Sequence, residues 1–289
     1  MSWNIFNGGQ NGPEGSDRVF PRREAGRLDD VIRVLRSSKA DVIFLQEANH
    51  FEADNHARLR EFETKLGMKG ALSLSRHGKF NVAAFYSKAA MVTELQRFSG
   101  DHIHAGLDMT FAVGDGQRLH LIAWHLLPSD RDSRLGAVRS LAPLIESRTP
   151  VVVIGDFNSL GSEAVGTDMS GLTRAQQKRF LDEKGEVDTT VIDAMKMMGF
   201  SDLHERFVGR VSAPPFHTVP TRLDKGEPNE FAPMRLDYAF ANTAAADLLK
   251  SADVDRTDNA SRASDHYPIS ISLDIGLEQA ARPAFGLFY

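Results

Sequence analysis

The chain has no cysteine, no long apolar run and no excess of basic residues. Without cysteine there can be no disulfide and no thiolate metal site, which suits a reducing compartment. No apolar run approaches the ~20 residues that a bilayer-crossing helix needs. The opening residues, Met1 to Phe6, lack a basic stretch followed by an apolar one, so no secretory signal is legible and a cytoplasmic location is expected. A net charge of −5 argues against a protein that coats nucleic acid by bulk electrostatics. It leaves room for a metal enzyme acting on phosphates, because such a site is itself acidic and a bound cation reverses its sign. What remains, 42% hydrophobic and 25% charged over 289 residues, is ordinary globular composition.

The most informative stretch runs from Pro150 to Ser159. Val151, Val152, Val153 and Ile154 are consecutive β-branched residues and read as a strand buried on both faces. The strand stops at Gly155, and the next positions carry Asp156 and Asn158. Alternation along an extended backbone points these two side chains one way and Phe157 the other. A carboxylate and an amide at the end of a buried strand suit a hard cation or a phosphate. An ordinary Asx turn accounts for the same residues equally well.

Other strand ends repeat the design. Ser2 to Phe6 reads as a short strand carrying Asn4, where asparagine is disfavoured. Asp41 to Glu47 is a second buried strand ending in a carboxylate. Phe80–Tyr86, Met91–Phe98, Gly106–Val113 and Arg118–Leu126 follow, with a hairpin expected at Gly114–Gly116. The last of these runs ends on His125. Leu236 to Ala241 carries Asp237, for which an ion pair with Arg235 on the same face is the simpler explanation. Ser264, Asp265 and His266 precede a final strand, Ile269 to Ile275.

Helical spacing predicts elements over Arg22–Ser38, Phe51–Leu66, Arg131–Glu146, Thr173–Leu181 and Val191–Met198. Most arginines of the first helix, Arg27 included, are expected on a solvated face. Arg22 and Arg23, close to the loop after the first strand, are the ones placed to reach a phosphate. Residues 209–234, rich in proline, read as a structured loop. Strands in two groups with interspersed helices predict two packed sheets covered by helices, an α/β architecture. One domain over residues 1–275 is expected, with an apolar tail, 276–289, packed on the body or on a partner.

Six strand ends or adjacent turns thus present Asn4, Glu47, His125, Asp156 with Asn158, Asp237, and Asp265 with His266. Oxygen ligands without thiolates favour Mg²⁺ or Mn²⁺ over zinc. In this order the motifs (Asn, Gln-Glu, His, Gly-Asp-Phe-Asn, Leu-Asp-Tyr, Ser-Asp-His) resemble the endonuclease/exonuclease/phosphatase superfamily, from Trp3 to Ile271. The resemblance implies a four-layer α-β-β-α sandwich of two mainly antiparallel sheets and a metal-dependent phosphoesterase.

It also implies roles. Glu47 is the expected principal Mg²⁺ ligand with Asn4 beside it, and Asp265 joins both the metal-holding and the catalytic groups. Asp156 and Asn158 position the attacking water, and Asn158 contacts the scissile phosphate. His266 stabilises the phosphorane-like charge, with Asp237 or Asp265 orienting a histidine, and His125 is a candidate general acid. Arg22 and Arg23 are expected substrate contacts. Nucleic acid is the favoured substrate. A small-molecule or lipid phosphoester is the alternative, and a binding module without catalysis is a third reading.

Overall fold

The computed structural model describes residues 1–9, 27–76, 78–113, 116–211, 216–223 and 230–275; the side chains of residues 210 and 211 are not among those described. Arg22, Arg23 and the tail 276–289 lie outside these residues, as do Gly114 and Asp115 of the expected hairpin turn.

In chain order the elements are β1 (Ser2–Asn4), α1 (Arg27–Ser38), β2 (Val42–Gln46), α2 (Ala53–Leu66), β3 (Lys69–Ser73), β4 (Val82–Tyr86), β5 (Met91–Phe98), β6 (Ile103–Ala112) and β7 (Arg118–Leu126). Then come α3 (Arg131–Arg139), α4 (Ala142–Ile145), β8 (Val151–Asp156), α5 (Arg174–Gln177), α6 (Thr190–Met197), β9 (Ser201–Asp202) and α7 (Leu203–Val211). β10 (Asp237–Ala241), α8 (Thr243–Ala246), β11 (Leu249–Val254), α9 (Asp258–Ala263) and β12 (Ile269–Leu273) complete the order.

The strands form two six-stranded sheets, ordered β11-β12-β1-β2-β4-β3 and β5-β6-β7-β8-β10-β9. Pairing is antiparallel except for one central pair in each sheet, β1 with β2 and β7 with β8. The expected sandwich is therefore present, with helices on the outer faces. Its layers can be read from single strands. In β8, Val152 and Ile154 face the other sheet, beside Phe44, Leu107 and Ala239. Val151 and Val153 face outward onto Val138, Leu141, Ile192 and Met195 of the covering helical layer. On the other outer face, Val31, Leu35 and Phe62 cover Trp3, Ile43, Leu45 and Phe85. Burial on both faces explains why these strands lack polar alternation. A fourth apolar cluster, Leu160, Met169, Phe180, Phe231 and Leu236 among its members, underlies the segments between β8 and β10.

Several element boundaries differ from the sequence expectations for physical reasons. The helix expected over Arg131–Glu146 divides in two, because Pro143 cannot donate within a helix and begins α4 instead. The helix expected from Thr173 shrinks to α5, a single turn held by a capping box between Thr173 and Gln176. The elements β9, α7, α8, β11 and α9 were not anticipated; most are too short for a periodic signal. In the proline-bearing loop, Val219 bridges to Met234 and so closes the segment onto the start of β10.

Candidate functional site

Strand register gathers the site before any side chain is considered. In the second sheet His125, Asp156 and Asp237 are direct neighbours across β7, β8 and β10. Cross-strand neighbours point to the same face, so these three side chains emerge together. In the first sheet Asn4 pairs with Gln46, which puts Glu47 just beyond the end of β2 beside Asn4. Ser2 pairs with Ile269, so the turn before β12 brings Asp265 and His266 to the same rim. The site spans the seam between the sheets.

Asn4 is the bridge across that seam. Its Nδ2 donates to Glu47 Oε1 at 3.3 Å and to Asp156 Oδ2 at 3.1 Å, while its Oδ1 accepts from the Phe6 amide. The asparagine thus turns its amide nitrogen, rather than its oxygen, toward the carboxylates. Glu47 Oε2 also accepts from the Asn7 amide at 2.8 Å. Burial holds the Glu47 carboxyl above its usual range, opposed by the Asn7 N–H, His266 and Asn4 and reinforced by Asp156. A carboxylate that resists ionisation for want of a counter-charge is a natural partner for a cation.

The backbone here is strained where the two strands deliver their groups. Phe6, Asn7 and Glu47 all have φ between 46° and 54°, a region that non-glycine residues seldom occupy and that clusters at functional sites. Gly8 follows at φ 68°, and a Cβ there would lie 2.3 Å from the Asn49 carbonyl oxygen. Gly155 is constrained in the same way: at φ 148°, a Cβ would meet the Trp124 carbonyl oxygen at 2.1 Å.

Asp156 and Asn158 form the turn that is one of the two sequence readings. Asp156 Oδ1 accepts from the Asn158 amide at 2.8 Å, which is an Asx turn. Its Oδ2 lies 3.5 Å from His125 Nε2 and 3.9 Å from His266 Nε2. Asn158, at φ 47°, donates its Nδ2 to the Leu126 carbonyl and accepts from Arg179 Nη2 at 3.2 Å. Phe157 is fully buried between Trp124 and Tyr238, as the alternation predicts.

His266 is held at three points. Trp3 Nε1 donates to its carbonyl, its amide donates to Ser264 Oγ, and its Nδ1 meets Asp237 Oδ2 at 2.8 Å. Asp237 in turn has its amide on Thr218 Oγ1. Burial opposes the charge on His266, but Asp237 and Asp156 outweigh it and hold the imidazole protonated well above its ordinary range. Between the two carboxylates proposed to orient a histidine, Asp237 makes the contact; Asp265 lies beside Ser264 Oγ at 3.2 Å. Arg235 turns away from Asp237 and pairs with Asp202 and Glu163.

His125 is different in charge. Burial, then the nearby cations His266 and Arg179, push its pKa down to about 3, so it is a neutral imidazole at pH 7. It packs against His104 and Phe80, with centroids 4.8 Å and 5.9 Å away.

A buried cation that sequence reasoning placed on a solvated face supports the rim. Arg27, 3% exposed, donates to the carbonyls of Ile5, Phe6 and Ala263. It lies four and eight residues before Val31 and Leu35, on their face of α1, and that spacing was the legible signal. Arg179, for which the sequence leaves solvent and substrate as alternatives, donates to Asn158; Thr218 has no role legible in the sequence, because a lone residue in an irregular segment carries no periodic signature.

Asp156, Asp237 and His266 each offer one ligand atom, all within 4.8 Å of one another, a spacing that could hold a metal ion. Among the described residues no helix is long and apolar enough to cross a membrane.

Comparison with known proteins places this geometry. No curated protein matches the sequence. Solved structures do match. A 3'-5' exonuclease from Neisseria meningitidis superposes with a TM-score of 0.64 at 16% identity, over 94% of this chain and 98% of that one. An AP endonuclease from Archaeoglobus fulgidus gives 0.61 at 17% identity, with coverage of 94% and 98%. A mannosyl-6-phosphatase from Bacteroides thetaiotaomicron gives 0.61 at 16% identity over the same shares. At such identities the likeness is one of fold. The model of the Endonuclease/Exonuclease/phosphatase family, however, matches residues 1–266. The chain belongs to that family and is an enzyme that hydrolyses phosphoester bonds.

Proposed function

We propose that the protein is a Mg²⁺-dependent phosphodiesterase acting on nucleic acid, with Mn²⁺ able to replace Mg²⁺. The observation that carries this reading is the meeting of Glu47, Asn4, Asp156 and the Asp237–His266 pair at one buried rim.

The donor chemistry fits a hard divalent cation, since every anionic group is an oxygen donor and there is no thiolate. The family is generally dependent on divalent metals. Glu47 would hold the ion, with Asp265 as a further carboxylate of the rim; Asn4, whose amide nitrogen faces Glu47 here, would have to turn its oxygen inward to join them. When bound, the ion supplies charge neutralisation at the phosphate oxygens.

The chain's own residues divide the remaining work. Asp156, anchored by the Asn158 amide and Asn4, orients a water and accepts its proton. His266, kept cationic by Asp237, offers Nε2 to the charge that builds on the phosphate. Asn158, fixed by Leu126 and Arg179, offers its amide to a phosphate oxygen. His125 enters as a neutral imidazole, suited to donate an N–H hydrogen bond near the leaving oxygen.

A second reading, hydrolysis of a small phosphoester, draws on a different observation. The cleft beside Arg179 sets five carboxylates, Asp130, Asp132, Asp182, Glu183 and Asp188, against four cations, Arg131, Arg134, Lys178 and Arg179, so it lacks the basic excess that an extended polyanion calls for. A panel of duplex DNA, single-stranded DNA, RNA, lipid and small phosphoesters, assayed with Mg²⁺, Mn²⁺ and EDTA, decides. Cleavage of nucleic acid that EDTA abolishes supports the first reading. Full activity in EDTA overturns the metal dependence, and rapid turnover of a small phosphoester with no cleavage of nucleic acid selects the second.

A further inference from the structure

We propose that the cavity that opens between the two sheets along β12 is a docking groove for the chain's own apolar tail, residues 276–289. This inference is independent of the substrate. The cavity measures about 870 Å³. It is lined by the starts of β2, β7 and β8, the end of β6, the length of β12 and the neighbouring residues 253–257, and it reaches inward to Ile154. Phe111, Leu119 and Leu121 of the inter-sheet core reach it, and Ala90, Leu273 and Ile275 border it as half-buried apolar residues. A cavity of this size, apolar over most of its wall and with Lys39, Asp41, Asp253 and Arg256 among its polar lining, calls for an occupant.

The chain itself delivers one. β12 ends at Leu273, the Asp274 amide is tied to the Leu248 carbonyl, and Ile275 lies in the groove wall. The fourteen residues that follow include Leu277, Phe285, Leu287, Phe288 and Tyr289. Extended, such a segment spans up to about 45 Å, enough to cross the groove. Burial of these side chains offers the largest gain at the closest apolar surface, and that surface begins where the described chain stops.

The absence of cysteine makes the test clean. In the full-length chain, Leu287→Cys introduces a single thiol whose alkylation by N-ethylmaleimide can be timed. Docking predicts labelling slowed by about tenfold or more relative to the same chain in urea, because a packed segment reacts only through local opening. The slowing should not depend on protein concentration. Adding Leu273→Glu in the groove wall should speed labelling while the second thiol-free control, Leu273→Glu alone, keeps its phosphoesterase activity. Labelling as fast as in urea overturns the proposal. So does protection that vanishes on dilution, which points to a second copy, or protection indifferent to Leu273→Glu, which puts the tail elsewhere. As a separate measurement, truncation after Ile275 should lower Tm by roughly 5 °C or more and increase binding of an apolar dye; unchanged values overturn it.

Discussion

Asp237 Oδ2 lies 2.8 Å from His266 Nδ1, and both side chains are buried almost completely. A strand of one sheet and the turn that leads into β12 of the other therefore share one charge pair, with His266 Nε2 left facing Asp156. Because the carboxylate fixes both the ring's orientation and its proton, Asp237→Asn is expected to lower kcat by roughly 10²–10⁴-fold, the scale of a lost orienting group. KM should change far less. An unchanged kcat would show that the pair is only structural.

Glu47 is a half-buried carboxylate held above its ordinary pKa by desolvation and by Asp156. Glu47→Gln removes that unfavourable charge, so the variant in EDTA should be at least as stable as the wild type while losing activity. Mg²⁺ at a hundred times its Kd should stabilise the wild type by about 2.7 kcal/mol and leave Glu47→Gln unmoved. Thermal melts of both proteins with and without Mg²⁺ check this. Equal stabilisation of the two would remove Glu47 from the metal site.

Arg27 is expected to behave as a core residue. Its guanidinium satisfies the carbonyls of Ile5, Phe6 and Ala263, so Arg27→Leu should cost about 2–4 kcal/mol by denaturant titration. Substitution of the exposed Arg36 on the same helix should cost less than about 0.5 kcal/mol.

His204 gives a pH dependence of stability that is separate from the site. It is buried, and burial, opposed by Asp202 and aided by Arg235, lowers its pKa from 6.5 to about 4. The unfolded chain then binds a proton that the folded chain refuses. Stability from this residue is complete above pH 6.5, declines as pH falls toward 4, and is lost below that. The total is about 3 kcal/mol at 1.36 kcal/mol per unit. The difference in unfolding free energy between wild type and His204→Leu, measured from pH 7.5 to 4, should trace this slope. A flat difference would refute it.

The site was legible in the sequence to the extent that strand ends carry it. Asn4, Glu47, His125 and Asp156 each close a buried apolar run, and a run of that kind betrays both the strand and its end. The groups that hold these residues were less visible. Thr218 acts from a loop, and Asn7 acts through its backbone amide, which no side-chain identity announces. Arg27 was hidden by composition, since it is one arginine among many and only its helical phase marks it as inward. The sandwich followed from two groups of strands, whereas β9, β11 and α9 were missed because short elements owe their form to tertiary packing. The pairing of Asp237 with His266 instead of Arg235 depended on β10 lying beside β8, which local pattern does not encode.

The hydrogen bond from Trp3 to the His266 carbonyl joins positions 263 apart. Asn4, on β1, and His266, in the turn before the neighbouring β12, are made far apart in time, the one early and the other late among the described residues. A nascent chain that has laid down β1 to β10 already holds Glu47, His125, Asp156 and Asp237, yet lacks the imidazole that pairs with Asp237. Hydrolytic competence is thus expected to arrive only once His266 has been made and released, and a product that stops before it would be inert toward phosphoesters.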